Sequence, residues 1–487
     1  MRKRIYIIGA GFSSISASCY LAQQGYDVTL FEKNEHLGGR ARQLVRDGFT
    51  FDMGPTWYWM PDVFERFFSD FGKKASDYYG LSKLNPAYSV YFDSESRIEI
   101  PDNPEDIERV FEAEEPGSGL KLRKFLKQAE DHYRIAIGSL VYQPGESIME
   151  LVTMDTITRL GRFVGNVRRD IRSAFTSQKL ISILEFPVLF LGAKPQDTPS
   201  FYNFMNHADF GLGTWYPQGG MASVVAGMEQ LSRELGVQYV TNADVSEIVC
   251  EGKSTRGIVV NGKFEPCDIV LSGADYHHTE SLLPEALRGF SEKFWQKRTF
   301  APSALLFYVG FDKKIQNVDH HTLFFDTDFD AHAVTIYDKP SWPENPLFYA
   351  SFPSVTEPEC APEGCEAAVF LIPLAPDLED DEATRELFFD RILLRLETLT
   401  RQPLKDNVLF KQSYCVSDFK KDYNSYKGNA YGLANTLMQT AILRPPLKSK
   451  KVNNLYFAGQ LTIPGPGVPP ALISGKLSAE LIRKYDR

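Results

Sequence analysis

The stretch between residues 5 and 34 places the strongest constraint on the fold of this chain. It reads IYIIGAGFSSISASCYLAQQGYDVTLFEKN and follows the basic residues 1 to 4. Two short apolar runs, at 5 to 8 and 28 to 31, flank a glycine turn and a helical segment, as in a βαβ unit with buried parallel strands. A secretory signal peptide would need one unbroken apolar core without glycines. The stretch therefore predicts a nucleotide-binding βαβ unit.

The glycines and one acid of this unit indicate what it binds. Gly9 permits the tight turn after the first strand, and Gly11 lets the backbone approach a pyrophosphate at the positive end of the following helix. Glu32 comes about 20 residues later, where a carboxylate accepts hydrogen bonds from a ribose. Ser14 replaces the third glycine of the G-x-G-x-x-G pattern and is small enough for the helix to pack on the strand. We predict dinucleotide binding, with a plain strand-to-helix turn as the alternative.

The composition of the whole chain excludes several classes of function. Its 487 residues suffice for two or three domains, and its net charge of -10 argues against a nucleic-acid partner. No apolar run reaches the ~18 residues of a membrane-spanning helix, so any membrane contact is expected from one side. Six scattered cysteines show neither metal-ligand spacing nor a disulfide pattern. We therefore expect no metal and a cytoplasmic location.

Three further glycine-rich segments narrow the dinucleotide to a flavin. Residues 38 to 40 (Gly-Gly-Arg) place bare backbone and a cation beside the same phosphates, and Gly54 with Pro55 makes another turn after a short strand. Near the C-terminus a strand ends at Gly459, and Pro469 opens an amphipathic helix whose N-terminus can stabilise negative charge on a flavin. Ordinary turns and a structural terminal helix are the alternatives. Together the segments predict non-covalent FAD, since no Cys or His adjoins the C-terminal glycines.

Longer stretches of the chain resemble a known family. They are GAGFSS, FEKN, GGRAR and GFTFDMGPT near the N-terminus, the segment from 215 to 248, and NLYFAGQLTIPGPGVPPALISGK at the end. Shorter matches, SGADYHHTE, HHTLFF, APEGC and NSYKGNAYG, extend the resemblance over nearly the whole chain. These segments are similar to the carotenoid desaturases of the phytoene-desaturase type, which belong to the flavin amine-oxidase superfamily. The resemblance implies an FAD-dependent oxidoreductase.

The resemblance also implies a fold and a domain arrangement. We expect an α/β fold in which a Rossmann-like FAD-binding domain is interleaved with an α+β substrate-binding domain, as in flavin amine oxidases. The FAD-binding domain would comprise residues 1 to 72, 215 to 290 and 448 to 487. The substrate- and membrane-contacting domain would comprise residues 73 to 214 and 291 to 447.

The FAD contacts of the family can be carried over position by position. Gln460 stands where the superfamily often carries an acid, so the chain departs from the family's pattern at the ribityl contact. Val245 would contact the adenine through its backbone, and Val468 and Pro469 would lie at the flavin. The complete set implied by the resemblance is Gly9, Gly11, Ser14, Glu32, Gly39, Arg40, Gly54, Pro55, Val245, Gly459, Gln460, Val468 and Pro469.

The regions without glycine motifs are rich in Phe, Tyr and Leu, which suits an apolar substrate. A C40 polyene has no polar groups to recognise, so a long aromatic and aliphatic tunnel is needed to hold it. We predict desaturation of phytoene towards lycopene, by hydride transfer to flavin N5 and loss of a proton. A hydroxycarotenoid 3,4-desaturase, a C30 polyene desaturase, a carotenoid isomerase, an amine oxidase and a non-catalytic isoprenoid-binding protein of the Rab GDP-dissociation-inhibitor type remain as alternatives.

Two ionisable residues in apolar surroundings are candidates for accepting the proton. Glu185 interrupts the run SILEFPVLF, and His207 follows in the next aromatic stretch. A buried acid with a raised pKa could take up a proton, whereas a hydrogen-bonded structural side chain is the alternative for each. The chain shows one dinucleotide unit, so we expect oxygen or a membrane quinone as the electron acceptor.

One basic amphipathic segment suggests peripheral membrane attachment. Residues 158 to 175 combine an apolar helical stripe with five arginines, whereas a solvated basic face is the alternative. The stripe consists of Leu160, Phe163, Val164, Val167 and Ile171, and the arginines are Arg159, Arg162, Arg168, Arg169 and Arg172.

Overall fold

The computed structural model describes residues 2 to 151, 165 to 189 and 192 to 486. Within them, the first strand of the predicted βαβ unit lies at the centre of a parallel sheet of five strands. The carboxyl ends of parallel strands meet at one edge, so the turns after them are brought together. In sheet order the strands are Leu455–Phe457, Ile269–Ser272, Arg4–Ile8, Asp27–Phe31 and Gln238–Val240.

A second, larger sheet belongs to the other half of the molecule. All of its neighbouring strands are antiparallel except His321–Phe324 and Tyr88–Asp93, which run parallel. In sheet order it contains Val408–Tyr414, Ser303–Phe311, Glu366–Leu374, Phe348–Ser351, His321–Phe324, Tyr88–Asp93 and Ser96–Ile100. The smaller sheets are Val245–Glu251 with Ser254–Val260 and Lys263–Pro266, Gln43–Arg46 with Phe49–Asp52, and Leu81–Lys83 with Trp215–Pro217.

Helices cover the parallel sheet and build much of the other half. None of the helices in the described residues combines the length and apolar character needed to cross a membrane. Those of six residues or more are Phe12–Gln23, Pro61–Ser69, Pro104–Glu114, Ser118–Gly138, Val167–Ala174, Gln178–Leu189, Met221–Glu234, Tyr276–Ser281, Phe329–Tyr337, Glu382–Thr400, Val416–Tyr423 and Val468–Tyr485.

The first and last long helices pack closely on each other, which unites the two ends of the sequence. A Cβ on Gly475 would lie 2.3 Å from the carbonyl oxygen of Ser13, so only glycine permits this approach. On the same helix, the Ser474 hydroxyl accepts a hydrogen bond of 2.9 Å from the N–H of Gly459. These contacts bring the C-terminal glycine segment beside the N-terminal one.

The architecture confirms the predicted α/β fold with an α+β second half. The parallel sheet takes its strands from residues 4 to 31, 238 to 272 and 455 to 457, whereas the large sheet takes its strands from residues 88 to 100 and 303 to 414. The two halves are therefore interleaved along the sequence. The domain boundaries given above remain a prediction.

The helix Val167–Ala174 contains the described part of the basic amphipathic segment. Val167 and Ile171 are buried in the core, and Asn166 caps the helix by accepting the N–H of Arg169. Arg168 is drawn into an ion pair inside the protein. The apolar stripe of residues 165 to 175 thus faces the protein interior. The first part of the segment, residues 158 to 164, lies outside the described residues.

Candidate active site

A continuous cavity of ≈ 1010 Å³ runs from the glycine turns of the parallel sheet into the second half of the molecule. This volume lies at the upper end of the about 300–1,000 Å³ typical of ligand pockets. Twelve of the thirteen residues predicted to contact FAD line it. They are Gly9, Gly11, Glu32, Gly39, Arg40, Gly54, Pro55, Val245, Gly459, Gln460, Val468 and Pro469.

The glycines form a cradle, a set of backbone turns without side chains at this end of the cavity. Gly9 has φ +85°, in the left-handed region that favours glycine, and a Cβ there would lie 3.4 Å from the backbone nitrogen of Ala274. A Cβ on Gly54 would lie 2.2 Å from the carbonyl oxygen of Arg40. A Cβ on Gly11 would meet no protein atom within 4 Å and would project into open space. Backbone can therefore approach a ligand closely here, as a pyrophosphate requires.

Glu32 is buried at the end of the second strand and lines the cavity. The N–H of Ala10, in the first glycine turn, donates to its Oε2 at 2.8 Å. The backbone N–H and side-chain amide of Asn34 donate to Oε1 at 2.9 and 3.0 Å. These bonds hold the carboxyl group against the turn. The arrangement fits recognition of a ribose next to the phosphates.

Arg40 supplies a partly buried positive charge on the same side of the cavity. Its guanidinium donates to the Ser425 hydroxyl at 3.2 Å and to the Asn429 carbonyl at 3.3 Å, and it lies 5.0 Å from the ring centre of Tyr423. Burial lowers the pKa of Arg40, which nevertheless stays a cation. Asp275 also lines the cavity, and burial raises its pKa. The arrangement fits a pyrophosphate.

The C-terminal helix begins at Val468 and presents its N-terminus to the cavity. Pro469 and Pro470 occupy the next two positions and carry no N–H group. The N–H of Ala471 is already bonded to the carbonyl of Gly467. Among residues 468 to 471, the N–H of Val468 is thus the donor left at this helix end. This helix end therefore offers fewer backbone N–H donors to a negatively charged flavin than an ordinary helix N-terminus does.

Ser14 is the predicted FAD residue that does not line the cavity. It is fully buried on the first helix, and a Cβ on Gly273 would lie 2.0 Å from its Oγ. Ser14 therefore permits the helix to pack against the turn after the strand Ile269–Ser272. This is the role of the third glycine in the motif, and a direct FAD contact by Ser14 is not supported.

The other end of the cavity is lined by aromatic and aliphatic side chains. Two polar residues in this part already use their polar atoms within the protein. His332 accepts the N–H of Leu347 at 3.1 Å and donates to the carbonyl of Pro373 at 2.9 Å, and Glu150 accepts the N–H of Gly145 at 2.7 Å. The apolar lining includes Trp57, Trp59, Phe186, Phe201, Phe204, Leu306, Leu323, Phe325, Ile336, Phe348 and Leu371.

The two predicted proton acceptors lie elsewhere. In the described part of the chain, neither Glu185 nor His207 is among the residues that line the cavity. Glu185 is buried and accepts hydrogen bonds from Arg172 Nε at 2.9 Å and from Arg168 at 3.1 Å. His207 begins a π-helical turn that ends at Gly211, and burial lowers its pKa. The structure thus gives Glu185 an ion-pairing role.

Sequence reasoning missed several residues that line the cavity. Asp275 lies between the strand Ile269–Ser272 and the helix that begins at Tyr276, in the motif SGADYHHTE, which was a sufficient signal. Thr56 and Trp57 continue the Gly54 turn into the apolar end. Tyr349 comes from the large sheet, and nothing in its local sequence indicates a site.

The cradle, the buried Glu32, the partly buried Arg40 and the fold define an FAD-dependent oxidoreductase. Residues 14 to 483 match the family of flavin containing amine oxidoreductases. The chain belongs to this family and, within it, to the carotenoid desaturases. It is 41% identical, over 98% of its length and 97% of the relative, to the carotenoid 3,4-desaturase of Haloarcula japonica. It is 32% identical, over 98% of both chains, to the 4,4'-diapophytoene desaturase of Staphylococcus haemolyticus.

Solved structures confirm the fold. An oxidoreductase from Methanosarcina mazei matches with a TM-score of 0.65 at 18% identity, over 98% of this chain and 100% of that one. A putrescine oxidase bound to putrescine matches with a TM-score of 0.64 at 12% identity, over 99% of both chains. The predicted flavin amine-oxidase-like fold is therefore correct, and FAD is the cofactor of the family.

Proposed function

We propose that this protein introduces conjugated double bonds into a C40 carotenoid bound in the apolar part of the cavity. The observation that carries the proposal is the continuity of that cavity. It joins the cradle around Gly9, Gly54 and Gly459 to a wall of aromatic and aliphatic side chains. A polyene in this space would lie against the flavin end with part of its chain.

Two polar residues of the wall, His332 and Glu150, are already engaged within the protein, which favours an apolar ligand over an amine. Both ring nitrogens of His332 are engaged with backbone groups, and Glu150 accepts N–H groups of its own loop from Gly145 and Glu146. An amine would have to compete for these groups or remain without a charged partner, which is costly in a buried site. A polyene needs none of them, since burial of its apolar surface provides the binding free energy.

Each part of the proposed reaction can be assigned to residues described above. Glu32, Arg40 and the glycine turns would hold FAD, which supplies the acceptor for a hydride when bound. The chain's own contribution is to position a single bond next to the conjugated system and to exclude water. Trp57, Trp59 and Phe186 pack edge-on and tilted against one another, with ring centres 5.3 to 6.3 Å apart, and so form a rigid wall there.

A more specific proposal concerns which bond of the carotenoid is desaturated. The relative at 41% identity is named a carotenoid 3,4-desaturase, which favours desaturation of a hydroxylated carotenoid at its 3,4 bond. Phytoene, desaturated towards lycopene, is the second candidate. Holoprotein incubated with liposomes of either carotenoid should give a product with a longer conjugated system, seen as a red-shifted absorption spectrum. Lack of a product from both carotenoids, together with oxidation of amines, would favour the amine-oxidase alternative.

The electrons are proposed to leave to oxygen or to a membrane quinone. The supporting observation is that the sequence contains a single G-x-G-type motif framed by strands, the one at Gly9 and Gly11, which FAD occupies in this proposal. Oxygen consumption or quinone reduction should therefore match product formation. Stoichiometric reduction of NAD would contradict the proposal.

Substrate delivery is proposed to occur from a membrane surface at one end of the cavity. Two loops meet there, since a Cβ on Gly145 would lie 3.8 Å from the Cα of Ile442, and both residues line the cavity. These loops carry large apolar side chains on the outside, with Met149 67% exposed, Met438 69% exposed and Leu443 45% exposed. Such side chains suit peripheral insertion into a lipid surface.

A further inference from the structure

A chain of hydrogen bonds leads from the cavity wall into the large sheet. Thr56 lines the cavity two residues after Gly54, and its hydroxyl lies 2.8 Å from the hydroxyl of Tyr349. Tyr349 also lines the cavity, and its hydroxyl lies 2.6 Å from Nδ1 of His321. His321 and Tyr349 stand on neighbouring antiparallel strands. The side chains of Thr56, Tyr349 and His321 are not among the predicted FAD contacts.

One tautomer of His321 gives these hydrogen bonds a direction that leads from the cavity to the imidazole. Nε2 of His321 is buried and has no hydrogen-bond partner among the described residues. When that nitrogen carries the ring hydrogen, Nδ1 accepts the hydroxyl of Tyr349. The oxygen of Tyr349 then accepts the hydroxyl of Thr56. The lone pairs of Thr56 remain at the cavity end of the chain, and the basic nitrogen of His321 is at its inner end.

The ring of His321 is stacked on an aromatic side chain and lies beside a second imidazole. Its ring is parallel to the indole of Trp57, with ring centres 4.0 Å apart and 9° between the planes. An aromatic face within about 6 Å stabilises a cation. His320 lies edge-on with its ring centre 4.5 Å away. Burial and His320 lower the pKa of His321 well below its usual value, so the ring is neutral before the reaction.

We propose that Thr56, Tyr349 and His321 form a proton relay that removes the proton in each desaturation. This inference rests on the proposed function. Loss of a hydride leaves the substrate as an allylic cation. The neighbouring C–H bond then breaks, and its electron pair becomes the new π bond. The proton passes to the hydroxyl oxygen of Thr56, the original hydroxyl proton of Thr56 passes to the oxygen of Tyr349, and the hydroxyl proton of Tyr349 passes to Nδ1 of His321.

A weak base is sufficient for this step. A C–H bond next to a carbocation is far more acidic than any protein side chain, so the neutral imidazole is a strong enough acceptor. The relay is charge-balanced because the positive charge moves from the substrate to His321. After the product has left, the proton returns through Tyr349 and Thr56 to water in the cavity. No further oxidant or reductant takes part.

Two substitutions remove proton transfer while keeping the shape of the relay. Tyr349→Phe removes the bridging hydroxyl. His321→Asn keeps an acceptor oxygen near the position of Nδ1 but cannot take up a proton. The matched control is Tyr91→Phe, which removes the hydroxyl of another buried tyrosine of the same sheet, hydrogen-bonded at 2.6 Å to the carbonyl of Asn317 and outside the cavity lining. Retained FAD and unchanged melting temperature verify the fold of each variant.

The readout is turnover in liposomes of phytoene or of a 3,4-saturated hydroxycarotenoid, with deuterium at either the hydride-losing or the proton-losing carbon. We expect Tyr349→Phe and His321→Asn to slow turnover on the order of 100-fold. The isotope effect should increase at the proton-losing carbon alone, and Tyr91→Phe should match wild type. Wild-type turnover and isotope effects in both variants, or a parallel change at both carbons, would overturn the relay. A wild-type protein that converts neither carotenoid would overturn the proposed function itself.

Discussion

The backbone of Gly54 lies directly against the carbonyl oxygen of Arg40, so that a Cβ on Gly54 would come within 2.2 Å of that oxygen. The segment of residues 38 to 40 and the turn at Gly54, which are separate in the sequence, are thus in direct contact. The guanidinium of Arg40 extends from this contact to Ser425 and Asn429. The position of the cation at the glycine-rich end of the cavity therefore depends on the absence of a side chain at residue 54.

Gly54→Ala is predicted to weaken FAD binding. The added methyl group cannot be accommodated without a shift of the Arg40 backbone, which moves a charge-assisted contact with the phosphates worth about 1.5–3 kcal/mol. We expect the Kd for FAD to rise by about tenfold or more, measured by flavin fluorescence on titration of apoprotein. Gly138→Ala is the control, because a Cβ there meets no atom within 4 Å. Equal affinity of the two variants would contradict the cradle.

Glu185→Gln is predicted to destabilise the fold rather than to abolish catalysis. The carboxylate is 2% exposed and lies between Arg168 and Arg172, so the neutral amide leaves two guanidinium groups poorly compensated. The free energy of unfolding should fall by about 1.5–3 kcal/mol in denaturant titrations. Glu95→Gln is the control, because Glu95 pairs with Arg401 at 80% exposure and should change stability little.

Glu185→Gln also tests the alternative that Glu185 accepts the proton from the substrate. A folded Glu185→Gln protein should retain turnover of a carotenoid at temperatures below its melting transition. Complete loss of turnover at unchanged stability would instead assign proton transfer to Glu185, as the apolar sequence around it suggested.

Local motifs allowed the residues that line the glycine-rich end of the cavity to be predicted, because each glycine turn and its strand are contiguous in the sequence. Their contacts with FAD remain a prediction. Gly9, Gly11 and Glu32 belong to one βαβ unit, whose geometry is general. The ion pair of Glu185 with Arg168 could not be predicted, since it depends on how two helices pack. Apolar periodicity in residues 167 to 171 indicated a buried face correctly, but it could not show whether lipid or protein covers that face.

The aromatic character of the substrate end of the cavity could be predicted from composition, but the contacts between its residues could not. The abundance of Phe and Tyr indicated an aromatic cavity, whereas the contact between His321 and Tyr349 arises from the pairing of two strands in the large sheet. Strand pairing over a long connection is set by the packing of the whole sheet. Ser14 shows the opposite case, because its position in a known motif was identified while its contact with Gly273 was not.

Asp209 is predicted to make stability depend on pH. The carboxyl group is buried, accepts the hydroxyl of Tyr88 at 2.8 Å, and has its pKa raised by burial to about 8. Between its unfolded value of 3.8 and about 8, the folded state binds a proton that the unfolded state lacks. Its contribution to stability is therefore full below pH 3.8 and is lost as the pH rises through about 8.

Asp209→Asn should remove this part of the pH dependence. Unfolding by urea at intervals between pH 5 and pH 8 should show a shallower decline of the unfolding free energy in the variant than in wild type. Asp390→Asn, at an exposed position, controls for the loss of a carboxylate. Parallel curves for Asp209→Asn and wild type would show that Asp209 is not protonated in the folded protein.

Substitution of the exposed apolar residues near the cavity is predicted to release the protein from membranes. Combined Met149→Glu, Met438→Glu and Leu443→Glu should reduce co-flotation with liposomes and slow turnover of a liposomal carotenoid, while FAD remains bound. Val45→Glu is the control, because Val45 is 69% exposed but lies outside the cavity lining. Flotation of the triple variant at the wild-type level would place the membrane contact elsewhere.

Anaerobic mixing of the FAD-loaded protein with carotenoid liposomes tests the central claim most directly. The protein is predicted to lose the absorbance of oxidised flavin and to form one new double bond for each flavin reduced, measured from the pigment spectrum of the extracted product. The amine putrescine should leave the flavin oxidised under the same conditions. Flavin that stays oxidised with phytoene and with a hydroxylated 3,4-saturated carotenoid, yet is reduced by the amine, would contradict the assignment as a carotenoid desaturase.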